Sequence, residues 1–238
     1  MMDELLNSVT QLRSDAQDLR RQARAETNAE KREQLFGEAV AEFKKAIGIL
    51  ERSLRLLRRQ ESAHSNDVCR VLEELSKSCG SLGGTWRDSG DLDQAIEQYD
   101  KGNSYEQERR EHCGAQDTYN MLQRLIVRLL RDPARMVAPE FLAELQAVRQ
   151  EIESQVKAGR EDSWGLADMV LVRFLCDAEA DADAAIANLD RRKADASFYE
   201  SAYKAVAALV AEGLGKGSAL GERLESFARF LQRKGGLA

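Results

Sequence analysis

The stretch Ser76-Lys77-Ser78-Cys79-Gly80-Ser81-Leu82-Gly83-Gly84-Thr85-Trp86-Arg87-Asp88-Ser89-Gly90-Asp91-Leu92-Asp93-Gln94-Ala95-Ile96-Glu97-Gln98-Tyr99-Asp100-Lys101-Gly102 decides how this chain is read. Val68, Val71, Leu72, Leu75, Cys79, Leu82 and Trp86 recur at helical spacings and form one apolar stripe. Ser65-Asn66-Asp67 supplies candidate N-caps for that helix. Gly90 supplies its stop, and Asp91 with Gln94 makes a capping-box-like start for a second helix carrying Leu92, Ala95, Ile96 and Tyr99. The stretch is a helical hairpin.

Upstream, Leu5, Val9, Leu12, Ala16, Leu19 and Ala23 alternate at spacings of four and three over residues 3–24. Phe36, Val40, Phe43, Ile47, Leu50, Leu54 and Leu57 continue that pattern over 31–59. Such a stripe is how paired helices meet, and the break Glu26-Thr27-Asn28 is short enough for an antiparallel hairpin. Ala39 and Ala46 widen the second stripe, which predicts packing on two neighbours. Downstream, a fifth helix is expected at 116–131, built on Tyr119, Leu122, Leu125, Ile126, Leu129 and Leu130. Both prolines, Pro133 and Pro139, fall in one window, so 132–138 is predicted as a linker, with Pro139 opening the next helix. Further helices are expected at 139–158, 163–177, 182–193, 197–212 and 218–234. No segment shows the alternation of a strand. The expected fold is all-α, with residues 1–131 as one lobe and 132–138 linking it to a helical lobe at 139–238.

Residues 76–109 closely resemble one tetratricopeptide repeat, whose period is about 34 residues with a W-x2-L-G-x2-Y, A-x3-F, P pattern. Leu82, Gly83, Trp86, Ala95, Tyr99 and the small Gly102 match in type and spacing, while Cys79 and Gln107 depart from the pattern. Ala39-x3-Phe43-x2-Ala46 and Trp164-x2-Ala167-Asp168-x2-Leu171 are degenerate echoes. Ala39 and Ala95 are not a whole number of repeats apart, so the array is irregular. The resemblance implies an α-solenoid of antiparallel helix pairs, about ten helices in all, with an N-terminal helical hairpin. Leu82, Gly83, Trp86, Ala95 and Tyr99 would form the repeat core. It further implies that first helices line a concave surface whose polar residues meet a peptide or partner helix.

Composition narrows the function. The 238 residues carry 35 Lys plus Arg against 41 Asp plus Glu, a net charge of −6, which argues against nucleic acid as a partner. No apolar run is long enough for a membrane span, and the acidic start Met1-Met2-Asp3-Glu4 is unlike a secretory signal, so a cytoplasmic protein is expected. Cys69, Cys79, Cys113 and Cys176, with His64 and His112, show no metal-ligand spacing, and all four cysteines are read as reduced thiols. Gly213-Leu214-Gly215-Lys216-Gly217-Ser218 lacks Ser or Thr directly after Gly-Lys and reads as an interhelix turn, not a phosphate loop. Asp177-x-Glu179-x-Asp181-x-Asp183 fails the calcium-loop pattern at Ala182 and Asn188. Glu161-Asp162-Ser163 reads as a cap region. No catalytic constellation and no cofactor are expected.

The basic faces remain. Arg52, Arg55 and Arg59 share a face opposite the Leu50, Leu54, Leu57 stripe. Asn120, Gln123, Arg124, Arg128 and Arg131 lie opposite the stripe of the fifth helix, and Lys77, Gly84 and Arg87 take the corresponding places in the repeat. The expected function is non-catalytic protein–protein interaction, as adaptor or regulatory subunit, with Lys77, Arg87, Asn120, Gln123, Arg124 and Arg128 on the partner. The alternatives are a homo-oligomer built through the N-terminal hairpin and a small-ligand sensor.

Overall fold

The computed structural model describes residues 2–59, 65–114, 117–158, 163–176, 182–191 and 196–237. Every regular element among them is helical: α1 (Met2–Ala25), α2 (Ala29–Arg59), α3 (Ser65–Ser89), α4 (Leu92–Cys113), α5 (Tyr119–Arg131), a 3-10 turn (Pro133–Val137), α6 (Pro139–Lys157), α7 (Ser163–Cys176), α8 (Ala182–Asp190), α9 (Ala196–Ala211) and α10 (Ala219–Gly235). None of the helices described is long and apolar enough to cross a membrane. Asp177, Glu179, Asp181, Glu161 and Asp162 lie outside the described residues, as do the Trp164 and Ser65 side chains.

The chain divides into two compact units, Met1–Asn120 and Met121–Ala238. The division falls inside α5, not at the predicted window of 132–138. Tyr119 and Asn120 seat in the first unit, whereas Leu122, Leu125, Ile126 and Leu129 join the core of Phe141, Leu145 and Val148. Pro133 instead opens the 3-10 turn, with Asp132 accepting from the Ala134 N–H at 3.2 Å, and Pro139 opens α6.

In the first unit, α1 and α2 form the expected hairpin, Asn28 capping α2 by accepting from the Lys31 N–H at 3.0 Å. The stripes of α1 and α2 are buried together with Val71, Leu72, Leu75, Cys79 and Leu82 of α3. Leu5, Leu12 and Leu57 of those stripes are only partly buried against this core. Turning from α3 to α4, Gly90 takes φ +94°, and Asp91 caps α4 by accepting from the Gln94 N–H at 3.0 Å. Both α3 and α4 extend to a disulfide between Cys69 and Cys113, with Cα atoms 6.1 Å apart. The expectation of four reduced cysteines is therefore corrected for this pair. Cys69 and Cys113 sit at nearly equal distances along the chain from the Gly90 turn, so folding the hairpin brings them together. Cys79 remains a buried thiol, pushed up to about 12 by that burial.

The second unit packs α7 against α6, α8, α9 and α10, with α9 paired to α10. Phe174 of α7 and Phe227 of α10 meet edge to face at 5.8 Å between centroids. Ala167, Leu171 and Asp168, part of the degenerate repeat signature, are all buried there. Residues 213–218 form the turn between α9 and α10. Gly213, Gly215 and Gly217 all have positive φ, and Ser218 caps α10.

Candidate functional site

Building the predicted binding face from its residues shows a surface already engaged with itself. Asn120 is buried, and so is Gln123. Asn120 Nδ2 donates to Ser76 Oγ at 2.8 Å and to the Ser76 carbonyl at 3.3 Å. Its amide occupies a notch between two glycines. A Cβ at Gly102 would stand 2.6 Å from Asn120 Nδ2, and one at Gly80 would stand 2.8 Å from Oδ1. The Asn120 side chain is thus packed inside the first unit, against Ser76 and Gly80 of α3 and Gly102 of α4. Ser76 also hydrogen-bonds Glu106, whose Oε2 accepts from the Asp117 N–H at 2.8 Å and from Arg109 at 3.3 Å. Glu106 is only 1% exposed, and burial raises its carboxyl above the usual range despite those donors.

Arg124 and Arg128 both bind Glu144 of α6, at 2.8 and 2.9 Å. Of the α5 residues expected to meet a partner, Asn120 and Gln123 are therefore buried and Arg124 and Arg128 are paired within the chain. Arg87 is largely buried beside Asp88, and Gly84 lies buried beneath Arg20, whose Nη2 would be 2.7 Å from a Cβ there. Lys77 alone keeps a half-exposed head, paired with Glu73 at 2.6 Å and Glu74 at 3.3 Å. Partial burial works against its charge, and the two carboxylates outweigh that and raise its pKa.

Residues missed by the sequence reading lie on α1. Asp3 pairs with Arg70, Arg13 with Glu74, and Arg20 and Arg24 with Asp88. Paired residue numbers rise together, so α1 and α3 run side by side and parallel, laced by charge. At the far end Arg20 Nε and Arg24 Nε donate to the same oxygen, Asp88 Oδ2, at 2.6 and 2.7 Å. Two guanidinium groups thus share one carboxylate in a site where each side chain is less than a quarter exposed. Burial works to raise the Asp88 carboxyl, and Arg20, Arg87 and Arg24 together outweigh it and hold it below the usual range. The signal in sequence was the Arg20–Arg24 spacing of one helical turn.

The residues expected to form a repeat core lie on α3 and α4. Leu82, Ala95 and Tyr99 are fully buried, and Gly83 lies against the Tyr99 ring. Trp86 differs, being half-buried with Lys44 of α2 5.5 Å above its ring. Among the described residues, no group of three or more His, Cys, Asp or Glu side chains is placed to hold a metal. No protein-family model matches the chain, and a search of curated proteins finds no match.

Proposed function

We propose that this chain is a non-catalytic protein-binding module with a tetratricopeptide-like array in its first unit. The reading is supported by the close-packed α3–α4 hairpin and by the parallel run of the two first helices, α1 and α3. One observation carries it: Arg20 and Arg24 converge on the single carboxylate of Asp88. With Arg87 also beside Asp88, three guanidinium charges face this one carboxylate, and guanidinium groups held in fixed geometry recognise carboxylates. The partner is accordingly a peptide or protein segment bearing an acidic side chain, received across α1 and α3, with Lys77 on the same helix as a more exposed contact.

The test is selection of peptides from a random library on the full chain, followed by affinity measurements on the double variant Arg20→Gln, Arg24→Gln. Enriched peptides should share an acidic residue and bind the variant about tenfold or more weakly. Enrichment of peptides without acidic residues, or equal binding to both proteins, would refute this assignment.

A further inference from the structure

The exposed side of α2 carries a second charged feature, on the opposite side of that helix from its contacts with α1 and α3. Phe36, Ala39, Val40, Phe43, Ala46, Ile47, Leu50 and Leu54 form its buried face. Lys45, Gly48, Arg52, Arg55 and Arg59 follow at spacings of three and four along the other side, and the three arginines are exposed. Arg52 to Arg59 spans about 10 Å of helix axis. Leu56, 59% exposed, sits among them.

The carboxylates nearest this ridge are already taken. Glu51 accepts from Lys101 at 2.7 Å and from the Tyr105 hydroxyl at 2.9 Å, and Glu108 pairs with Arg58. Among the described residues Arg52, Arg55 and Arg59 form no close salt bridge, Arg55 acting on the already engaged Glu51 only through its charge at longer range. We infer that this arginine ridge is a docking surface for an acidic amphipathic segment of another protein, with carboxylates at helical spacing and an apolar side chain to cover Leu56. Bidentate guanidinium–carboxylate pairing on successive turns suits such a segment. A second copy of this chain fits poorly, because two such ridges would oppose like charges. A long polyanion fits poorly as well, since the whole chain carries −6.

The ridge faces away from α1 and α3, so its test is separate from that of the Arg20–Arg24 site. The probe is a synthetic helical peptide with glutamates at alternating three- and four-residue spacings around one leucine, titrated into the full chain near physiological salt. The comparison probes are its Glu→Gln counterpart, a single-stranded DNA oligonucleotide and phosphatidylserine vesicles. Saturable binding of the acidic peptide, weakened about tenfold or more by Arg52→Gln, Arg55→Gln and Arg59→Gln together and unaffected by Arg20→Gln, Arg24→Gln, supports the inference. The single substitution Arg55→Glu, at a solvated position, gives the same reading if the triple variant loses its circular dichroism spectrum. Equal binding by wild type and ridge variants, no binding of the acidic peptide, tighter binding of DNA or vesicles, or a wild-type dimer by light scattering that the ridge variants abolish would each overturn it.

Discussion

The ring of Tyr99 lies directly against the backbone of Gly83: a Cβ at that glycine would stand 3.0 Å from both Cε1 and Cζ. This contact holds α3 and α4 closer than any residue with a side chain at position 83 permits. It also makes the hairpin, rather than any single helix, the unit that the sequence encodes.

Gly83→Ala should therefore destabilise the protein by roughly 1–2 kcal/mol, because crowding a rigid ring outweighs the gain in helix propensity. Chemical denaturation with an unchanged m value checks this. Tyr99→Ala should cost roughly 3–5 kcal/mol. Tyr99→Phe should be neutral or slightly stabilising, because the Tyr99 hydroxyl is buried without a hydrogen-bond partner. Trp86→Ala, at a half-buried ring, should cost less than Tyr99→Ala.

Asn120 and Gly102 should be energetically coupled. Gly102→Ala drives a methyl into the Asn120 amide and should cost about 1–3 kcal/mol. In an Asn120→Ala background the same substitution should cost markedly less. A double-mutant cycle measures the difference, and additivity within about 0.5 kcal/mol would show that the notch is not the packing constraint.

The helical hairpins, the Gly90–Asp91 turn and the helix break at the prolines were legible because periodicity, caps and breakers are local signals. The fate of the polar residues was not. Asn120 and Gln123 stand opposite an apolar stripe, which on an isolated helix means solvent, yet both are buried, Asn120 against Ser76 of α3. Gly80 and Gly102 were visible, but only the folded hairpin sets both against one asparagine. Arg124 and Arg128 looked free because their partner Glu144 belongs to a different helix. The disulfide had no spacing motif, and its cysteines come together only through the α3–α4 turn.

Reducing that disulfide should lower stability by about 4 kcal/mol, the chain-entropy value for a loop of its sequence separation of 44. Thermal melts with and without dithiothreitol should differ, and the Cys69→Ser, Cys113→Ser variant should melt with the reduced wild type in both conditions. Alkylation and mass spectrometry of the purified chain should label Cys176 but neither Cys69 nor Cys113 before reduction.

Two buried carboxylates should give opposite pH signatures. Burial raises Glu106 above 4.5 in the folded state, so the stability linked to its proton is present at low pH and is lost as pH rises through the raised value. Glu106→Gln should gain on wild type over that rise. Asp88 is held below 3.8, so its contribution is present above that value and is lost as pH falls through the lowered one. Asp88→Asn should cost roughly 2–4 kcal/mol at neutral pH, and the deficit should shrink in acid. Urea titrations across the acid range separate the two.

The central claim, that α1 and α3 together receive an acidic segment, is tested most directly by photo-cross-linking. A selected peptide carrying a photoreactive group beside its acidic residue is bound to the full chain, irradiated and mapped by mass spectrometry. Adducts confined to α1 between Arg13 and Arg24 and to α3 between Glu74 and Asp88, lost in Arg20→Gln, Arg24→Gln, are the predicted result. Adducts confined to the second unit or to α2, or unchanged in that variant, would contradict it.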